Sequence, residues 1–238
     1  MKRNFLLVVV MMFVLSASLS AATVKQPFTG CCLDGWKFNG KAESCWKAGK
    51  LDADATKMEV LPLKDGEKGC LINAVDVDWR NAKPRKGVDI YTEEKYGDCT
   101  VKLELLLTKG SNSGVYLMGE YEVQVADSFG KENDKLTQGD MGAIYSATAP
   151  TINASGAPGT WQSYEIEFVA PKFDANGNKT ANGLFKRVVL NGKLILENIP
   201  VEKPTGGGVT MKEAPTGPLM LQGNHGPVAF RNIEIIVP

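Results

Sequence analysis

The feature that most restricts this chain is an alternation of apolar and polar residues. In TVKLELLL (100–107), Val101, Leu103, Leu105 and Leu107 are set against Lys102 and Glu104. A period of two gives one apolar and one polar face only in an extended strand. GVYLMG (114–119), WQSYEIEFVA (161–170) and FKRVVL (185–190) continue the pattern. Gly and Asn mark most of the breaks. In VVLNGKLIL (188–196), Asn191-Gly192 between two β-rich runs predicts a type I′ hairpin. Helical periodicity is nowhere sustained, although KENDKLTQ (131–138) suits a turn or two. Many short strands with turn signals between them predict an all-β sandwich or barrel.

The N-terminus is of a different kind. Lys2 and Arg3 precede an apolar run from Phe5 to Leu15, followed by small residues through Ala22. This reads as a signal peptide over 1–22, cleaved near Ala21 or Ala22, ahead of a single domain over 23–238. The apolar run is too short for a stable span, so the mature chain is expected without a membrane span and exported, to the periplasm or beyond. Formal net charge is zero and no basic stripe carries interleaved aromatics, which argues against a nucleic-acid partner. One His in the whole chain excludes a site built on several histidines. The cysteines, Cys31, Cys32, Cys45, Cys70 and Cys99, are odd in number and contain no Cys-x-x-Cys pair, so neither zinc nor thiol redox chemistry is indicated. Cys70 and Cys99 sit at the edges of apolar runs, where a small buried thiol fits.

Two long loops interrupt the strands, at 149–160 and 200–218. The triple glycine at 206–208 is no phosphate loop, because no Gly-Lys-Ser/Thr follows and no βαβ unit surrounds it. Asp52 with Asp54, and Asp174 with Asn176, complete no calcium loop and read as turn residues. Near the C-terminus the apolar parity changes between Phe230 and Ile233, which predicts a bulge at Arg231-Asn232 that re-aims Arg231. The single His225 lies in the Gly-Asn-His-Gly connection just before that strand.

YEVQVADSFG (121–130) raises the question of function. Tyr121, Val123 and Val125 form an apolar face, while Glu122 and Gln124 stand together on the other. Asp127 follows the apolar parity and is expected to end the strand by bonding its own turn.

NSGVYLMGEYEVQVADSFG (112–130), GAIYSATAP (142–150), NASGAPGTWQSYEIEFVAPKFD (153–174), NGKLILEN (191–198) and LQGNHGPVAFRNI (221–233) resemble the 3-keto-disaccharide hydrolases, also described as 3-keto-glucoside 1,2-lyases and 3-keto-2-hydroxyglucal hydratases. The chain departs from the family's pattern at Met118, where Arg or Gln is frequent. Asn224-His225-Gly226 stands where Asp-His-Gly is common. The resemblance implies a concanavalin A-like jelly-roll sandwich of two antiparallel sheets, with a concave face turned to carbohydrate. It also implies a chemistry in which a C3 ketone acidifies the C2 proton of the sugar, a base removes it, and the enolate expels the C1 group. Water then adds back. In that scheme Glu122 is the base or a metal ligand, His225 a second acid/base or ligand, and Arg231 the partner of the enolate oxygen. Asn112, Gln124, Tyr145 and Gln222 are expected to bind sugar hydroxyls, and Trp161 to stack on a pyranose. No cofactor is required, although Glu122 and His225 with waters could hold a divalent metal cation. A non-catalytic carbohydrate-binding module on the same scaffold is the alternative.

Overall fold

In the computed structural model the described residues are 21–41, 44–52, 54–75 and 87–238. The expected signal peptide, up to residue 20, lies outside them. The first strands are β1 (Thr23–Lys25), β2 (Trp36–Asn39), β3 (Trp46–Leu51), β4 (Val60–Leu61), β5 (Cys70–Asn73) and β6 (Asp89–Thr92). β7 (Cys99–Leu107), β8 (Asn112–Leu117), β9 (Tyr121–Ala126), β10 (Gln162–Val169) and β11 (Lys172–Phe173) follow. β12 (Lys179–Ala181), β13 (Gly183–Leu190), β14 (Lys193–Val201), β15 (Met220–Leu221) and β16 (Val228–Val237) complete the set. The segment 131–138 contributes one 3₁₀ turn, Asn133–Lys135.

Most of these strands form two large antiparallel sheets, while β11 and β12 pair with each other as a separate two-stranded sheet. The larger runs β14-β13-β10-β7-β16-β5-β3-β4, with β1 also on β16; the smaller runs β2-β6-β15-β8-β9. Each sheet turns one face inward, and the alternation selects which residues fill the space between. Leu103 and Leu105 of β7, Ile166 and Phe168 of β10 and Phe230 of β16 meet Val115, Tyr121 and Val123 of the smaller sheet in one continuous core. Phe168 anchors it, its ring centroid 5.4 Å from that of Tyr121 and 4.9 Å from that of Phe185. Truncating such a ring to Ala costs about 3–5 kcal/mol. Among the described residues no helix is long and apolar enough to cross a membrane.

The local expectations have physical outcomes. Asn191 and Gly192 both adopt positive φ, 51° and 75°, as a type I′ turn requires, and Leu190 pairs with Lys193 across it. The register between β16 and β7 shifts between Arg231 and Glu234, with Asn232 at φ 51°, so the bulge lies where the parity break put it. Its effect differs from the expectation. Phe230 points inward and Ile233 and Ile235 point inward again, so the extra residue restores the apolar face and leaves Arg231 half-buried on the outer face of the larger sheet. Asp54 caps a 3₁₀ turn, and Asp174 accepts from the backbone of Asn176 and Asn178, both as turn residues. Asp127 accepts from Phe129 N in its own turn and from Gly110 N at 2.8 Å. All five cysteines are thiols, with Cys70 and Cys99 buried.

Candidate active site

The smaller sheet presents its outer face to a cavity of about 380 Å³, lined by Asn112, Tyr116, Glu122, Gln124, Tyr145, Gly206, Gly207, Gln222 and His225. Strand alternation explains the selection. On β9, Tyr121, Val123 and Val125 belong to the core, so Glu122 and Gln124 must face away from it. On β8, Val115 and Leu117 belong to the core, which turns Asn112, Gly114 and Tyr116 to the cavity.

Glu122 is at the centre. Its residue is only 2% exposed, and burial pushes its carboxyl up to about 8; a hydrogen bond from Tyr116 opposes the rise and the nearby Asp89 charge adds to it. Tyr116 is the register partner of Glu122. Gly114 provides the room: a Cβ at that position would lie 2.2 Å from Glu122 Oε1 and 2.8 Å from the Tyr116 ring. Burial also drives the Tyr116 phenol far above its ordinary value, so it remains a proton donor.

Amides surround this pair. Gln222 Nε2 donates to the Tyr116 hydroxyl at 3.2 Å, whereas Gln222 Oε1 is buried with no hydrogen-bond partner. An orphaned acceptor in a polar cavity is costly unless a ligand hydroxyl meets it. Gln124 is held by its backbone, whose carbonyl accepts from Tyr164 Oη at 2.7 Å. Tyr145 arrives through the edge of the sheet: Gln124 N donates to Ala143 O, and Tyr145 N to Glu122 O at 3.1 Å, so the segment after residue 141 covers the open side of β9.

The roof comes from the loop 200–218. Its anchor is Glu120, buried in the β8–β9 turn, whose carboxylate accepts from Thr210 N, Thr210 Oγ1 and Met211 N at 2.7–2.9 Å. Thr205 Oγ1 accepts from Glu122 N at 2.9 Å. Gly206 and Gly207, both at positive φ, then pass over the sheet, and a Cβ on Gly207 would lie 3.1 Å from the Tyr116 hydroxyl. At Gly207 the positive φ and this close approach both favour a residue without a side chain. Gly206 and Gly207 therefore shape a wall of the cavity.

Six of the eight expected site residues converge here: Glu122, His225, Asn112, Gln124, Tyr145 and Gln222. Arg231 and Trp161 do not, and this corrects the expectation for both. They lie on the outer face of the larger sheet, where the Arg231 guanidinium sits 3.9 Å from the Trp161 ring centroid and pairs with Glu104 at 2.6 Å. The core separates them from Glu122. The residues that sequence reasoning missed are Tyr116, Asp89, Asn73, Glu120 and the Gly206-Gly207 pair. The parity of NSGVYL would have put Tyr116 on the face of Glu122; nothing in the sequence signals that Asp89 and Asn73 approach the His225 loop. Among the described residues, no three His, Cys, Asp or Glu side chains group as metal ligands. Glu122 and His225 are the two such side chains lining the cavity, and its other side chains are amides and phenols.

A two-sheet jelly roll whose smaller sheet carries a buried carboxyl ringed by amides and aromatics suits a carbohydrate-active enzyme. The match to known families narrows this. The sequence model of the 3-keto-alpha-glucoside-1,2-lyase-like domain matches residues 25–236, and the chain belongs to that family. No curated protein matches the sequence. Among solved structures, a candidate glycosyl hydrolase from Parabacteroides distasonis is 27% identical with a TM-score of 0.57, covering 91% of this chain and 90% of that one. A second from the same organism is 19% identical with a TM-score of 0.56, covering 89% and 92%, and a third is 20% identical with a TM-score of 0.54, covering 91% and 100%. The last two share the fold. The protein is thus a carbohydrate-active enzyme of the 3-keto-glycoside lyase and hydrolase type.

Proposed function

We propose that the enzyme cleaves 3-keto-glycosides by removing the C2 proton with Glu122. The observation that carries this is the buried Glu122 carboxyl, pushed up to about 8 and facing a cavity ringed by amides. A base works best when its affinity for protons lies near the working pH, because it is then both available and strong. An ordinary surface Glu would be ionised but weak. The C3 ketone delocalises the charge left at C2, and the enolate oxygen takes hydrogen bonds from the amide nitrogens and from the Tyr116 hydroxyl, which turns to it once Glu122 has taken the proton. Collapse of the enolate breaks the C1–O bond, and His225, after taking a proton from solvent, supplies it as the imidazolium to the departing oxygen. Addition of water to the resulting unsaturated sugar completes net hydrolysis. The amides of Asn112, Gln124 and Gln222 orient the sugar, with Gln222 Oε1 meeting a hydroxyl. A conventional glycosidase instead needs two carboxyls flanking the bond, and among the described residues Glu122 is the one carboxyl that lines the cavity. The N-terminal basic and apolar segment supports the further reading that the enzyme acts after export.

The test is a pair of substrates that differ only at C3. The untagged protein should release the C1 group from a 3-keto-glucoside and leave the corresponding glucoside intact. Equal cleavage of both, or binding of the keto-sugar with no turnover, would contradict the reading.

A further inference from the structure

The connection between β15 and β16 carries His225, and two buried side chains from other strands hold it. Asn73 of β5, with no exposed surface, donates through Nδ2 to Gly223 O at 2.8 Å and to Gly226 O at 2.9 Å, clamping both ends of the turn. Asp89 of β6 accepts from Gly223 N through Oδ1 at 2.9 Å and from Asn224 Nδ2 through Oδ2 at 3.3 Å. The backbone of Asn224 bonds the same carboxyl. Beyond it, Asn224 Oδ1 meets His225 Nδ1. The order of these contacts bears on where hydrogens lie. An ionised carboxylate only accepts, so the Asn224 amide must turn its nitrogen to Asp89 and its oxygen to the imidazole. An amide oxygen also only accepts, so Nδ1 must carry the hydrogen.

We propose that Asp89 is the positioning residue of this site: by orienting the Asn224 amide it holds His225 as the Nδ1–H tautomer, leaving Nε2 as the basic nitrogen. Under the function proposed above, on which the catalytic part of this inference rests, Nε2 is the atom that takes a proton from solvent and passes it to the leaving oxygen. The carboxylate is supplied one residue further out, from β6, and the amide transmits its orientation. Asp89 sits close enough to Glu122 for its charge to strengthen that base as well.

The chain contains a single histidine, so ¹⁵N-histidine labelling of the untagged protein gives one imidazole to observe. Long-range ¹H–¹⁵N spectra, recorded at a pH where the ring is neutral, should show Nδ1 as the protonated, pyrrole-like nitrogen and Nε2 as the bare, pyridine-like one. Asp89→Asn should move the ring toward the Nε2–H form and lower kcat by about 10–100-fold, the usual scale for losing an orienting partner. Adding Asn224→Asp to that variant places a carboxylate directly at Nδ1 and should return the Nδ1–H signature with part of the activity, which a merely structural role of Asp89 would not do. If Asp89→Asn fails to fold, Asn224→Ala removes the acceptor itself and carries the same spectral expectation. A wild-type ring in the Nε2–H form, or a tautomer unaltered by Asp89→Asn or Asn224→Ala, overturns the proposal. A tautomer that responds as described in a protein inert toward 3-keto-glucosides upholds the positioning role and refutes the function instead.

Discussion

Tyr116 and Glu122 are register partners on neighbouring strands, and the phenol bonds a carboxyl that burial has pushed up to about 8. The rise marks burial as the stronger influence. The Tyr116 hydrogen bond favours the ionised form, so without it the base would titrate higher still.

The pH profile follows from this pairing. The acid limb of kcat/KM should have an apparent pKa near 8, the value of Glu122 in the free enzyme. Tyr116→Phe removes a bond to the charged form and should shift that limb to higher pH. A limb that stays in place, or moves down, would show that Tyr116 does not hold the ionised carboxylate.

Glu122→Gln should abolish turnover, with kcat down about 10³-fold, and yet stabilise the protein at alkaline pH. The ordinary carboxyl value is 4.5 and the folded value about 8, so between them the folded state binds more protons than the unfolded one and wild-type stability falls as pH rises. The amide carries no such penalty. Denaturant titrations at pH 5 and 9 should show a variant advantage that grows with pH, reaching on the order of a few kcal/mol.

Gly114→Ala tests the space beneath the carboxyl. Its new Cβ would lie 2.2 Å from Glu122 Oε1, so the side chain must leave its place. Activity should fall by more than about tenfold, while stability, measured by urea titration, drops by about 1–3 kcal/mol as for an overpacked site.

Glu120→Ala leaves Thr210 N, Thr210 Oγ1 and Met211 N without their acceptor. The Gly206-Gly207 wall should loosen, raising KM more than it lowers kcat. Hydrogen exchange should accelerate at Thr210 and Met211 ahead of the strands.

Arg231→Ala should leave kcat/KM within about twofold and cost about 1 kcal/mol of stability, because its contacts are a half-exposed ion pair to Glu104 and the face of Trp161. Steady-state kinetics beside a thermal melt decide this. A large kinetic loss would return Arg231 to the chemistry.

The alternation in 100–107 and 121–126 is a local property of the chain, and it gave the strands, their inward faces and the outward pair Glu122 and Gln124. The Asn191-Gly192 hairpin and the bulge at Arg231-Asn232 were legible for the same reason, since turn and parity signals span few residues. Which sheet holds a strand is set by long-range pairing. Arg231 follows His225 closely in sequence, but the connection carries the chain from β15 in the smaller sheet to β16 in the larger, and the intervening core divides the two side chains. Asp89 and Asn73 were invisible in the opposite sense, because their contacts with Gly223, Asn224 and Gly226 cross more than a hundred residues. Gly206 and Gly207 stood in the sequence only as part of the long loop 200–218, and the approach of Gly207 to the Tyr116 hydroxyl appears only in the folded chain.

The most direct test of the central claim follows C2 of a 3-keto-glucoside by NMR in deuterated buffer, with wild type and Glu122→Gln side by side. Wild type should exchange or lose the C2 proton together with release of the C1 group, show a primary isotope effect on a C2-deuterated substrate, and lose both activities in the variant. Release of the C1 group by Glu122→Gln at the wild-type rate, or cleavage with the C2 proton retained throughout, would contradict the account.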